Sequence, residues 1–271
     1  MRHENLDPQV VSRRTVSRFL NKNGLKYLQS RKKGLLYNTD LQKRLSFARD
    51  MKRRHNATFW KEGIAFYFDA TGFHYKRYPL RQAQAVKGRV WRKKSEGLTF
   101  GCTSKGSKVG SGGKVVRVYA AISYDRGVVL AKPYKKLTGK KFAKFVRKQF
   151  PSVFERCARK GNERLFLQDG DPCQNSHKAL RALRRINAKV LKIPPRSPDL
   201  NPIENIFKLL GDQLSKDALE KNINEESFES FQSRVVDTLL RIPTDVINKT
   251  VSSMPKRIDA IIKNKGTRLK Y

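Results

Sequence analysis

Three carboxylate residues stand at positions where α/β proteins place their chemistry. Asp69 and Asp169 each follow a short segment, IAFYF and LFLQ, that the pattern predicts as a strand. Glu204 lies in the first turn of a predicted helix, after the proline-rich stretch PPRSPDLNP. Carboxylates brought together repel one another unless a cation lies between them, and hard divalent cations such as Mg²⁺ take oxygen ligands. Two such ions can support in-line displacement at phosphorus, so the three residues predict phosphoryl transfer.

Each of these carboxylates also has a purely structural interpretation. The sequence NPIE at 201–204 matches a helix start in which Asn is the N-cap, Pro the first helical residue and Glu204 the third. Asp69 and Asp169 could equally be turn residues at the ends of strands. Asp171 rivals Asp169 because it lies only two residues further on. Residue types and spacing leave both interpretations open.

The chain as a whole is strongly basic, which restricts the partners that it can have. Its 271 residues include 60 Lys and Arg against 23 Asp and Glu, a formal net charge of +37. Such charge opposes compaction, so an enzyme of small metabolites is disfavoured and binding to a phosphate backbone is expected. No stretch of about 18 apolar residues is present, so we expect no transmembrane helix. Three scattered cysteines, Cys102, Cys157 and Cys173, predict neither a disulfide framework nor a zinc site.

The elements that must position the carboxylates follow an α/β pattern, with a mixed sheet flanked by helices. Residues 8–27 contain a helix that Ser12 caps and Asn23-Gly24 closes, with Arg13, Arg14 and Arg18 along its exposed side. Predicted strands cover 64–69, 73–78, 115–122, 127–131, 165–169 and 189–193. Further predicted helices cover 39–56, 138–159 with a possible break at Pro151, 176–186 and 202–215, and two more lie within 225–264.

Three segments of the chain resemble those of the mariner-superfamily, Tc-type transposases. They are IAFYFDATGFHY, LFLQDGDPCQNSHKA and KIPPRSPDLNPIENIF, and the resemblance extends over most of residues 8–271. The 34 residues between Asp169 and Glu204 match the spacing of the family's DDE triad, whereas counting from Asp171 leaves 32. The resemblance therefore favours Asp169 over Asp171.

The resemblance implies a ribonuclease-H-like α/β core in which Asp69, Asp169 and Glu204 are catalytic and bind two Mg²⁺ ions, with Mn²⁺ as a substitute. It implies strand cleavage at transposon ends and strand transfer into TA target sites. The implied partner is double-stranded DNA, bound by a homodimer. We also expect the protein to work in the nucleus and to have no membrane partner. The alternative is a catalytically inactive or co-opted DNA-binding protein. It arises because the family carries two helix-turn-helix units before the core, and we expect the first to be missing here.

We therefore divide the chain into three predicted segments. Residues 1–58 form a partial helix-turn-helix DNA-binding segment with a basic linker, and 59–220 form the catalytic core with a Gly-rich clamp-like loop at 95–113. Residues 221–271 form C-terminal helices that pack on the core. Basic clusters such as 31–33 and 52–54 are candidates for phosphate contacts or for nuclear-entry signals. The predicted DNA-binding residues are Arg13, Arg14, Arg18, Lys22, Arg31, Lys32, Lys33, Lys52, Arg53, Arg54, Lys105 and Lys108.

Overall fold

The computed structural model describes residues 11–29, 36–84, 89–93 and 113–269. These residues divide into two compact units. The smaller takes 11–29 and 89–93, and the larger takes 36–84 and 113–269. The Gly-rich segment 95–113, apart from its last residue, lies outside the described residues. So do five of the predicted DNA-binding residues, namely Arg31, Lys32, Lys33, Lys105 and Lys108.

The smaller unit contains the predicted basic helix and a two-stranded ribbon. Helix α1 (Arg13–Lys22) begins where the Ser12 hydroxyl accepts a hydrogen bond from the Thr15 backbone N–H at 3.1 Å. It ends before Gly24, whose φ of +76° suits a residue without Cβ. The predicted start and end of this helix are thus confirmed. Strands β1 (Lys26–Gln29) and β3 (Arg89–Arg92), which the sequence did not reveal, pair in antiparallel orientation.

The larger unit is built on a mixed sheet of five strands in the order β5-β4-β2-β6-β7. The first three run antiparallel to their neighbours, and β2, β6 and β7 are parallel. This confirms the predicted fold class. The strands are β2 (Phe66–His74), β4 (Val115–Ser123), β5 (Gly127–Tyr134), β6 (Arg164–Gln168) and β7 (Ala188–Lys192).

Eight α-helices of the described residues accompany this sheet. They are α2 (Asn38–Arg54), α3 (Pro79–Gln84), α4 (Gly139–Cys157), α5 (His177–Arg185), α6 (Ile203–Glu220), α7 (Phe228–Leu240), α8 (Thr244–Ser252) and α9 (Met254–Lys263). None of them is long and apolar enough to cross a membrane.

Three predictions about these elements are wrong. Of the strand predicted at 73–78, only Phe73 and His74 are strand residues. They continue β2, because Thr71 and Gly72 keep their pairing with β4 instead of forming a turn. Pro151 does not break α4, since buried Phe150 and Phe154 hold the helix against the sheet on both sides of it. The C-terminal part forms three helices, because a turn at Ser253 separates α8 from α9.

Side chains that alternate along the strands fill two cores, one on each face of the sheet. Phe66, Phe68 and Phe166 pack with the buried aromatic residues of α4 on one face. Tyr67 and Leu167 point to the other face, where α6 and the C-terminal helices cover them. Asp69 follows the alternation of Tyr67, so its side chain belongs to the face that α6 covers.

Gly266 allows the C-terminal segment to approach α2 closely. Its φ is +85°, and a Cβ there would lie 2.2 Å from the Leu41 carbonyl oxygen. Gly161 offers a matched control, because its φ is +86° and nothing lies within 4 Å of a Cβ. We expect Gly161→Ala to cost about 1–2 kcal/mol of backbone strain, and Gly266→Ala about 2–5 kcal/mol because overpacking adds about 1–3 kcal/mol to that strain. Urea denaturation measures both, and equal losses would contradict the steric argument.

Candidate active site

Asp69 and Asp169 lie side by side on neighbouring parallel strands. Tyr67 is opposite Leu167 in the β2–β6 pair, so continuing the register by two residues places Asp69 opposite Asp169. Asp69 lies within β2 and is only 7% exposed, whereas Asp169 directly follows the last residue of β6 and is half-buried. The two carboxylates predicted from the strand ends therefore meet at one edge of the parallel part of the sheet.

Glu204 is brought to the same place by the start of α6. Asn201 is buried, and its Nδ2 donates a hydrogen bond to the Phe68 carbonyl oxygen at 3.5 Å. This contact ties the start of α6 to the residue that precedes Asp69. Helix α6 begins without a side-chain cap hydrogen bond, and Pro202 occupies the N-cap position. The interpretation of Asn201 as an N-cap is therefore wrong, and its side chain instead joins the helix to the sheet.

The three carboxylates influence one another electrostatically. Burial raises the pKa of Asp69 well above its ordinary value, and the negative charges of Asp169 and Glu204 raise it further. A hydrogen bond of 2.7 Å from the Ala70 backbone N–H to Asp69 Oδ1 offsets only part of this effect. The pKa of Asp169 is also raised, mainly by burial. A site that disfavours its own negative charge in this way favours the binding of cations.

Asp171 is engaged in the turn that follows β6. Its Oδ1 accepts hydrogen bonds from the backbone N–H groups of Cys173 at 2.8 Å and Gln174 at 3.2 Å. Its own backbone N–H donates to Asp169 Oδ1 at 3.1 Å. Asn175 Nδ2 donates to the carbonyl oxygens of Asp169 and Asp171 and closes the turn. Asp171 therefore shapes the loop that supports Asp169, which favours Asp169 as the residue at the strand end that does chemistry.

The donor chemistry of the cluster fits hard divalent cations. All three side chains offer carboxylate oxygens, and their mutual repulsion falls when a cation lies between them. Within the described ranges, no three His, Cys, Asp or Glu side chains converge tightly enough to enclose a single metal ion. An arrangement in which two ions are shared among Asp69, Asp169 and Glu204 does not require that convergence.

A buried ion pair fixes the turn that leads to Glu204. Arg44 of α2 is fully buried and binds Asp199 with both terminal nitrogens, Nη1 to Oδ1 at 2.8 Å and Nη2 to Oδ2 at 2.6 Å. Arg44 Nε also donates to the Gly266 carbonyl oxygen at 2.7 Å. The Leu269 backbone N–H donates to Asp199 Oδ2, and Arg257 Nη1 donates to the Asp199 carbonyl oxygen. Helix α2, helix α9 and the C-terminal segment thus hold the residues just before Glu204.

The role of Arg44 was not predicted, although the spacing of the buried residues in α2 points to it. Asp40, Arg44, Ala48 and Met51 are the buried residues of α2, three or four positions apart. A charged residue on the apolar stripe of a helix requires a buried partner. From the sequence, α2 was predicted only as a basic helix. Its many exposed Lys and Arg residues obscure the buried stripe.

The described members of the predicted DNA-binding set are all exposed. Arg13, Arg14, Arg18 and Lys22 lie on α1 of the smaller unit. Those at the end of α2 form surface ion pairs: Lys52 with Asp259 at 2.6 Å, Arg53 with Asp50 at 3.1 Å and Arg54 with Asp50 at 2.7 Å. Exposed pairs of this kind exchange readily for other anions, so they do not prevent contact with phosphate.

Comparison with known proteins agrees with this geometry. Residues 65–227 match the DDE superfamily endonuclease family. The chain is 27% identical to the Tcb1 transposase of Caenorhabditis briggsae over 270 residues, which cover 97% of this chain and 89% of that protein. It is 30% identical to the Tc1 transposase of Caenorhabditis elegans over 131 residues, which cover 46% of each chain, so this match spans less than half of its relative.

The fold is similar to that of the Mos1 transposase. The paired-end complex of Mos1 with the left transposon end matches with a TM-score of 0.65 and 16% identity. The Mos1 mariner paired end complex with Mn matches with a TM-score of 0.67 and 15% identity. Both alignments cover 96% of this chain and 72% of the Mos1 chain. At this identity, the likeness establishes the shared fold.

Proposed function

Because the chain belongs to the DDE superfamily endonucleases, as a mariner-superfamily transposase, we propose that it cuts DNA at transposon ends and joins them to TA target sites. The observation that carries this proposal is the meeting of Asp69, Asp169 and Glu204 at one edge of the sheet. The interior of β2, the end of β6 and the start of α6 supply one carboxylate each. Their mutual repulsion gives the site its affinity for cations.

Asp69, Asp169 and Glu204 would hold two divalent cations, Mg²⁺ with Mn²⁺ as a substitute. The bound ions would supply activation of the attacking oxygen and stabilisation of the leaving oxygen. The Mos1 structure with Mn supports this choice of ion for a protein of the same fold. The chain itself contributes rigid positions, since Asn201 ties Glu204 to β2 and the turn at 171–175 supports Asp169.

The proposed partner is double-stranded DNA carrying terminal inverted repeats. The formal net charge of +37 supports it, because neutralising phosphates releases counterions and offsets the self-repulsion of the protein. Mos1 transposase, which has a similar fold, forms a paired-end complex with its left transposon end. We further propose that the chain acts as a homodimer on this DNA and works in the nucleus, where its substrate lies.

Nicking of supercoiled plasmid tests the proposed activity. We expect wild-type protein to produce nicked circles with Mg²⁺ or Mn²⁺ and none with EDTA, and we expect Asp169→Asn to lose nicking under both metals. Asp212→Asn is the matched control, since Asp212 is an exposed acid on α6 and its loss leaves the site intact.

Binding of plasmid without nicking in either metal would contradict the proposed enzymatic activity. That outcome would favour the alternative of a co-opted DNA-binding protein. The presence of all three carboxylates in one cluster favours the enzyme, because a protein that only binds DNA has no use for a buried acid whose charge is disfavoured.

A further inference from the structure

A cavity in the larger unit has no role in the site described above. It has a volume of about 330 Å³ and lies between the end of β5, the segment after it and α4. Its wall includes three aromatic residues, Tyr119, Tyr134 and Phe145. We call it the lysine cavity, because six lysines surround it: Lys132, Lys135, Lys136, Lys141, Lys144 and Lys148.

The charge of the lysine cavity is uncompensated. All six lysines are exposed, and none forms an ion pair with any residue that the structure describes. Lys141, Lys144 and Lys148 are three and four residues apart on α4 and so share one face of that helix. Residues 131–160 contain 11 basic residues and a single acid, Glu155. The cavity therefore presents a concentrated positive field to an anion.

The aromatic residues give the cavity a flat and firm wall. The rings of Tyr119 and Tyr134 stack with centroids 4.0 Å apart and an interplanar angle of 16°. Phe145 adds a third ring, with its centroid 4.2 Å from that of Tyr119. Tyr119 is buried, while Tyr134 and Phe145 are half-buried. Aromatic surfaces beneath a rim of cations are the combination with which proteins bind unpaired nucleotides.

The sheet register places β5, which contributes to the cavity, two strands away from Asp69. Asp69 is opposite Ala120 of β4, and Ala120 is opposite Ala131 of β5, so about 10 Å separates them along the sheet. Tyr119 and Tyr134 belong to the face that α4 covers, whereas the Asp69 side chain belongs to the face that α6 covers, so the cavity and the carboxylates lie on opposite faces of the same three strands. Burial raises the pKa of Tyr134, Arg117 lowers it, and the charges of Asp171 and Asp69 raise it further, so the site and the cavity share one electrostatic field.

We propose that the lysine cavity binds an unpaired nucleotide of the DNA strand that is cut at the carboxylates. Its base would lie against Tyr134, and the adjoining phosphates would contact Lys135, Lys141 and Lys144. A base that is still paired in a duplex cannot place its face on this wall. The inference rests on the proposed function, because it assigns to the cavity a part of the same substrate.

Binding of short oligonucleotides to the full chain, without divalent metal, tests the subsite. The probes are a labelled oligothymidine of about 12 nucleotides and a duplex of the same length, measured by fluorescence anisotropy over a range of salt concentrations. For K135Q/K141Q/K144Q we expect weaker binding of the single strand and a slope of log K against log salt that is smaller by about 2. For Tyr134→Leu we expect roughly 5- to 150-fold weaker binding of the single strand, and for Tyr134→Phe no change. Duplex binding is expected to stay within about threefold of wild type for every variant.

A charge-matched variant separates position from net charge. K160Q/K256Q/K263Q removes three exposed lysines outside the cavity, and we expect it to bind both probes as wild type does. Equal losses in the two triple variants would overturn the proposal, and so would equal losses for single strand and duplex. Tyr134→Leu also removes packing against Tyr119 and could fail to fold. In that case the K135Q/K141Q/K144Q variant, which changes only exposed residues, still decides the test.

The outcomes for the subsite and for the proposed function are distinguishable. If the cavity variants lose single-strand binding but keep duplex binding, and the plasmid is never nicked, the cavity is a single-strand site and the proposed activity is wrong. If the plasmid is nicked but the cavity variants bind single strand and duplex as wild type does, the activity stands and the proposed subsite is wrong.

Discussion

Replacing Asp69 with Asn is expected to abolish cleavage and, at the same time, to stabilise the metal-free protein. We expect the rate of plasmid nicking to fall by at least about 10³-fold, which corresponds to roughly 4 kcal/mol of transition-state stabilisation. Without metal, the variant no longer carries a buried charge next to Asp169 and Glu204, so its melting temperature is expected to rise. Each kcal/mol gained shifts that temperature by roughly 2–4 °C in a chain of this size.

The sign of this effect follows from the raised pKa of Asp69. An acid whose folded-state pKa lies above its unfolded value of about 3.9 destabilises the fold as pH rises through the interval between the two values. The stability difference between Asp69→Asn and wild type should therefore grow from acidic to neutral pH. Adding Mg²⁺ should stabilise wild type more than the variant, and Asp212→Asn should respond as wild type does. A variant that melts lower than wild type without metal would contradict this account.

The meeting of the three carboxylates was predictable from sequence to the extent that it depends on local patterns. Asp69 and Asp169 stand at recognisable strand positions, and parallel pairing of β2 with β6 then brings them together. The position of Glu204 in the first turn of α6 was predictable from the proline-rich segment 194–202, which precedes the helix. The capping-box interpretation of 201–204 failed because Asn201 forms a bond to Phe68, 133 residues away. A local sequence pattern cannot predict a hydrogen-bond partner that lies so far away in the sequence.

Long-range contacts explain the other elements that were missed. The ribbon of β1 and β3 joins two four-residue segments separated by about 60 positions, and each is too short to show a clear alternation. The sequence showed the basic charge of residues 131–160. It did not show the lysine cavity, because the wall depends on Tyr119 of β4 stacking against Tyr134 of β5. The charge of a segment can be read from its own residues, whereas the shape of a cavity depends on segments that are far apart in the sequence.

Removing Arg44 is expected to cause a large loss of stability. In Arg44→Met the Asp199 carboxylate stays buried and loses both hydrogen bonds from the guanidinium. Breaking a buried pair from one side costs about 3–5 kcal/mol, which urea denaturation measures. Arg54→Met on the same helix is the control. Its ion pair with Asp50 is exposed, so we expect a loss below about 1 kcal/mol.

The same substitution connects stability to the active site. Asp199 lies five residues before Glu204, so a loosened turn should misplace that carboxylate and slow plasmid nicking even at temperatures where Arg44→Met remains folded. Arg44→Lys keeps the charge without the two-pronged contact, and we expect it to recover stability only in part. In the double variant Arg44→Met/Asp199→Asn no unpaired charge remains buried, so its loss should be smaller than the sum of the two single losses. Losses that simply add, or a loss in Arg44→Met no larger than in Arg54→Met, would show that the ion pair does not hold this turn.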